Sequence, residues 1–132
     1  MQALAWFVAT LALLSSAWTY FYYQRNGREK RRSALQDFES ARRHAEKLHE
    51  KLYSLAEKNS YNGEPLLDDL TFTDVAAKLR QSIDHFYTTE NRQVLESAEV
   101  QSREFTSITG RLERERLFMG QVEEIVENHY ED

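Results

Sequence analysis

Four histidines are the side chains of this sequence best suited to proton transfer or metal ligation: His44, His49, His85 and His129. His44 and His49 stand five residues apart, about 140° around a helix, so they do not share a face. Glu46-Lys-Leu-His49 has the Glu-x-x-His form used in carboxylate-bridged di-metal sites, but such sites need a second copy and two further glutamates. No second copy occurs, and the absence of cysteine excludes thiolate ligands, thiol nucleophiles and disulfides. The serines lie in no Gly-x-Ser-x-Gly context, and the sequence holds no phosphate-cradling glycine loop and no His-Glu-x-x-His pair. Arg80, His85, Tyr87 and Arg92 are close enough in sequence to line a polar pocket for an anion, although ordinary surface positions account for the same residues. The residues therefore give no support for catalysis, and neither a cofactor nor a metal is expected.

The elements that carry these side chains say more. The first charged side chain is Arg25, so all 17 Lys and Arg and all 22 Asp and Glu fall after residue 24. Ala3 to Tyr23 is an uncharged run of 21 residues without Pro or Gly. As a helix it reaches about 31 Å, matching a hydrocarbon core of about 30 Å. Aromatic side chains gather at both ends, with Trp6 on one side and Trp18, Tyr20, Tyr22 and Tyr23 on the other, as interfacial belts require. Residues 1–24 are expected to be an uncleaved transmembrane anchor. A cleaved secretory signal would carry a basic n-region and a shorter apolar run. Ala5, Ala9, Ala12 and Ser16 form a stripe of small residues through which such spans can associate.

Residues 25–32 form a basic juxtamembrane segment holding Arg25, Arg28, Lys30, Arg31 and Arg32 against one acid, Glu29. The positive-inside bias puts this flank and everything after it in the cytoplasm, with the amino terminus outside. The same cations suit anionic lipid headgroups. The layout, and only the layout, resembles small single-pass bacterial inner-membrane proteins. With a net charge of −5, the chain as a whole has no basic footprint and no nucleic-acid partner is expected.

Residues 33–132 carry a net charge near −9 and are expected to form an acidic, all-α domain of three to four helices, as a bundle or coiled coil. Ser33-Ala-Leu-Gln36 has the form of a capping box and predicts a helix start. Ala34, Phe38, Ala41, Ala45, Leu48, Leu52 and Leu55 then repeat at 4-3 spacing, making a seam for another helix of this chain or of a partner. Asn59 to Pro65 gathers turn-forming residues. Leu66, Leu67, Leu70 and Phe72 follow as an apolar patch, and Thr73-Asp74 predicts a second helix start. Val75 to Tyr87 has helical periodicity, as does the stretch from Asn91 to Val126, which Gly110 is able to divide. Strands are not expected. The tail from Gln121 has five acids and no base, a solvated end or a docking face for a basic partner.

These readings predict a non-catalytic, single-pass membrane protein whose helical domain tethers or scaffolds a protein partner, with homo-oligomers expected. The competing class is an oligomeric effector that senses a small anionic ligand and perturbs the bilayer through its clustered spans.

Overall fold

The computed structural model describes residues 2–59 and 63–129. The middle of the predicted turn at 60–62, the acidic end beyond residue 129 and the His129 side chain lie outside the described residues. The fold is all-α, with α1 over Gln2–Asn59, α2 over Phe72–His85, α3 over Thr89–Ser97 and α4 over Arg103–His129.

α1 is one uninterrupted helix of 58 residues, so the predicted start at Ser33 is corrected. The basic segment contains no proline and a single glycine, and Arg and Lys are good helix formers. The preceding turn therefore supplies the hydrogen bonds that a cap at Ser33 would have replaced, and Ser33 is simply exposed. Every residue from Gln2 to Arg25 is exposed, whereas Ala34, Phe38, Ala41, Ala45, Leu48, Leu52 and Ala56 are buried. The boundary between these regimes runs through the basic segment.

The expectation of no strands is also corrected. Pro65–Leu67 (β1) and Leu70–Thr71 (β2) pair antiparallel, with Leu67 opposite Leu70. Asp68, in the turn between them, takes a left-handed φ of 49°, a region that Asp enters more readily than most residues. The hairpin is short because its task is to turn the chain and lay Leu66 into the core.

The α2 cap sits two residues before the predicted one. The Thr71 hydroxyl accepts from the Asp74 amide at 3.1 Å, and the Asp74 carboxylate accepts from the Thr71 amide at 3.1 Å, which closes a capping box. Thr88 caps α3 in the same manner, accepting from the Asn91 amide at 3.2 Å. The long third stretch is divided at residues 98–102, whereas Gly110 and Gly120 lie inside α4. Ala98 turns to an extended backbone at ψ 151°, and the Ser102 hydroxyl then accepts from the Phe105 amide at the start of α4.

The core lies where α2, α3 and α4 pack on the second half of α1. Its aromatic centre is Phe38, Phe86 and Tyr87, with ring centroids 5.0–5.9 Å apart in tilted and edge-to-face arrangements. The four helices and their shared core meet the all-α expectation.

Adding a methyl at Gly110 or Gly120 meets no atom within 4 Å. Gly110→Ala and Gly120→Ala are each expected to stabilise the domain by about 0.5–1 kcal/mol, read from denaturant midpoints of the full chain in detergent. A destabilising result at either position would contradict the helix-interior placement.

Candidate functional site

The first third of α1 is exposed and largely apolar. Trp6 and Trp18 are 75% and 76% exposed, and Tyr20, Tyr22 and Tyr23 are exposed with them. The apolar stretch here is wholly unburied. The Thr10 hydroxyl donates to the Trp6 carbonyl at 2.8 Å and that of Thr19 to the Ser15 carbonyl at 2.9 Å. Both polar groups are thus satisfied within the helix, as a hydrocarbon environment demands. Among the described residues, one helix is therefore long and apolar enough to cross a membrane. The stripe Ala5, Ala9, Ala12, Ser16 lies exposed along it.

At the end of that segment the five cations of the collar part company. Arg25 pairs with Glu29 at 3.4 Å in the open. Arg31 donates from Nη1 to the Glu96 carbonyl at 2.7 Å and from Nη2 to the Ala98 carbonyl at 2.5 Å. These acceptors are carbonyls at the α3 C-terminus, where a cation also meets the negative end of the helix dipole. Arg31 thereby ties the 98–102 loop to α1, and Val100 comes to rest beside Gly27, 4.0 Å from where a Cβ would stand. Arg28, Lys30 and Arg32 are exposed. Between collar and loop opens a cleft of about 770 Å³ whose lining includes Tyr20, Tyr23, Arg28, Lys30, Glu99 and Gln101. Sequence reasoning named the cations but missed the loop, because a contact 67 residues away leaves no local signal.

The seam residues Phe38, Leu48 and Leu52 are buried and Leu55 is half-buried; Leu66 and Phe72 are buried, with Leu67 and Leu70 half-buried. Seam and patch are thus brought together in the core of their own chain. Of the two uses foreseen for them, helix packing is the one they serve within the chain. Beyond the apolar segment, the large apolar side chains exposed among the described residues are Tyr53 and Leu117.

The four residues of the suggested anion pocket are dispersed. Arg80 pairs with Asp84 at 3.2 Å, Arg92 pairs with Glu39 at 3.0 Å and Glu96 at 3.1 Å, His85 is exposed, and Tyr87 is buried. A different groove, of about 340 Å³, runs between α2 and α4, lined by Lys78, Ser82, Arg111, Arg114, Glu115 and Phe118 among others. The buried Ser82 hydroxyl donates to the Glu115 carboxylate at 3.0 Å, and Arg111 covers the Phe86 ring at 4.6 Å. His44 Nε2 stands 2.6 Å from a Glu123 carboxylate oxygen, joining α1 to α4. Among the described residues no three His, Asp or Glu side chains are grouped to hold a metal ion. The chain matches no protein-family model, no curated protein and no solved structure.

The Tyr87 hydroxyl is buried without a hydrogen-bond partner. Its pKa is pushed well above the tyrosine range, chiefly by burial and next by the Glu115 carboxylate, against the opposing pull of Arg111 and Arg116. The unfolded chain loses this proton near pH 10 while the folded chain keeps it, so stability falls as pH rises past about 10. Tyr87→Phe is expected to remove that share of the alkaline loss and to be neutral or stabilising by up to about 1 kcal/mol at pH 7. Unfolding of both proteins between pH 8 and 11 measures it, and identical alkaline slopes would contradict the burial argument. Arg31→Gln is expected to cost about 1–3 kcal/mol by freeing the α3 carbonyls, with faster amide hydrogen exchange confined first to residues 94–102.

Proposed function

We propose that this protein is a non-catalytic, single-pass membrane tether that holds an acidic helical domain against the cytoplasmic face and recruits a protein partner there. The observation that carries this reading is the continuity of α1: the exposed apolar segment and the seam of the packed domain are one helix, with no linker between them. A cleavable leader would gain nothing from such continuity, and its removal would strip the domain of its apolar extension.

The orientation rests on the collar. Five basic residues follow the span directly, which favours a cytoplasmic domain and an amino terminus outside, in the manner of a bacterial inner-membrane protein. Because the domain's own core uses the seam, the partner has to engage its outer faces, where Tyr53 on α1 and Leu117 on α4 are the large exposed apolar side chains among the described residues. Self-association into a homo-oligomer then falls to the span, through the stripe Ala5, Ala9, Ala12 and Ser16.

The second reading, a bilayer-perturbing effector under the control of a small anion, draws its support from the α2–α4 groove, where Lys78, Arg111 and Arg114 outnumber Glu115. A nucleotide or other phosphate ligand that raises the melting temperature of the full chain by several degrees would favour it over the tether.

The chain is expected to remain in the membrane pellet through alkaline carbonate extraction, and Leu11→Arg with Leu14→Arg should release it. A fluorescent reporter fused to the C-terminus should glow, whereas alkaline phosphatase fused there should stay inactive. Active phosphatase would overturn the topology, and wild-type release by carbonate would overturn the anchor.

A further inference from the structure

We propose that the cleft between the collar of α1 and the 98–102 loop binds the phosphodiester headgroup of an anionic phospholipid. The proposal rests on the membrane reading of the first third of α1 and adds to it a defined site with a second wall.

Depth is the first argument. Tyr23 closes the aromatic belt, and Gly27 follows about 6 Å further along the helix axis. The headgroup layer occupies about 5–8 Å outside the hydrocarbon on each side of a bilayer. The contact of Val100 with Gly27 therefore sets the loop at headgroup depth, and the cleft opens where phosphates lie. A methyl at Gly27 would make ordinary van der Waals contact with Val100 Cγ2, so the loop lies within one side chain's reach of the helix at this depth.

Chemistry is the second. Arg28, Lys30 and Arg31 line the cleft with one carboxylate, Glu99. Arg31 is occupied by the α3 carbonyls, which leaves Arg28 and Lys30 as the cations free to meet a phosphate and gives the cleft a positive balance. Gln24 Nε2 donates to the Tyr20 hydroxyl at 2.8 Å, so the Tyr20 O–H proton is left to donate elsewhere. Tyr20 and Tyr23 supply rings on the lipid side of the cleft, against which glycerol and acyl ester groups can rest.

The arrangement separates a site from general attraction to a charged surface. Around the helix, Arg25 and Arg32 point about 160° and 140° away from the direction of Gly27 and lie outside the cleft lining. General attraction would weigh all the exposed cations alike, whereas a site distinguishes Arg28 and Lys30 from Arg25 and Arg32.

The test uses the full chain. Flotation with neutral phosphatidylcholine vesicles first checks the anchor, independently of any headgroup preference; a chain that does not float defeats the membrane reading itself. Retained lipid is then counted by native mass spectrometry after reconstitution in phosphatidylcholine with phosphatidylglycerol. Wild type is expected to retain phosphatidylglycerol preferentially. The Arg28→Gln/Lys30→Gln pair should lose that retention by roughly tenfold or more, while Arg25→Gln/Arg32→Gln changes it by less than about twofold. Arg28→Lys/Lys30→Arg should keep it, which sets aside a folding defect. Equal losses in the two Gln pairs, or no phosphatidylglycerol preference in wild type, would overturn the site. Displacement of the retained lipid by millimolar glycerol 3-phosphate would overturn the lipid assignment in favour of a free phosphate ligand.

Discussion

From Ala34 to Ala56, α1 offers a strip of small and large apolar side chains, and α2, α3 and α4 all bury their own apolar faces against it. The dependence is physical. α2 has 14 residues and α3 has nine, at or below the length at which an isolated helix persists in water. Their caps at Thr71 and Thr88 each contribute about 1 kcal/mol, too little to hold them alone. What holds them is Phe72, Val75 and Leu79 from α2 and Leu95 from α3, all buried in the core that α1 founds. The alanines at 34, 41, 45 and 56 let neighbouring backbones approach closely, and Phe38 fills the space this leaves near Phe86 and Tyr87.

The same helix carries two kinds of surface without changing its backbone. Before Arg25 its outward side chains are uncharged all round; after Ser33 they are apolar on one face and charged on the others. A helix satisfies its internal N–H and C=O groups in either medium, so nothing in the backbone requires a joint at the transition. The consequence is mechanical: a tilt or rotation of the exposed segment is transmitted directly to the seam, where α2, α3 and α4 are attached. A flexible linker would have uncoupled the two.

Much of the fold is legible in the sequence because it follows from periodicity. The apolar run of 21 residues, the seam at 34–55 and the face at 75–87 all declare themselves within a few turns of chain. The misreadings share one cause, a local signal overridden by what surrounds it. Ser33 looked like a cap, but a cap forms only where the preceding turn is not helical, and residues 29–32 have no reason to leave the helix. Val94, Ala98 and Phe105 keep 4-3-4 spacing through Gln101, yet the chain breaks at 98–102 without glycine or proline to announce it. There Arg31, 67 residues before Ala98, supplies the partners that the α3 carbonyls would otherwise lack. For the same reason the five collar cations could be named from sequence while the loop that faces them could not.

That one arginine also separates two roles of positive charge that the sequence presents as a single run. In the proposed topology, orientation depends on the number of Lys and Arg beside the span and little on neighbouring acids, so Arg25 counts there even though it is paired with Glu29. Packing asks something different: Arg31 needs a fixed geometry, two carbonyls at hydrogen-bond distance, which only the folded domain provides. A lysine would serve the first role equally well and the second poorly, because its single ammonium lacks the planar fork that reaches two acceptors at once. The basic residues of the collar are therefore alike in charge but not in role, and the bond between α1 and the end of α3 is what holds the 98–102 loop against the collar.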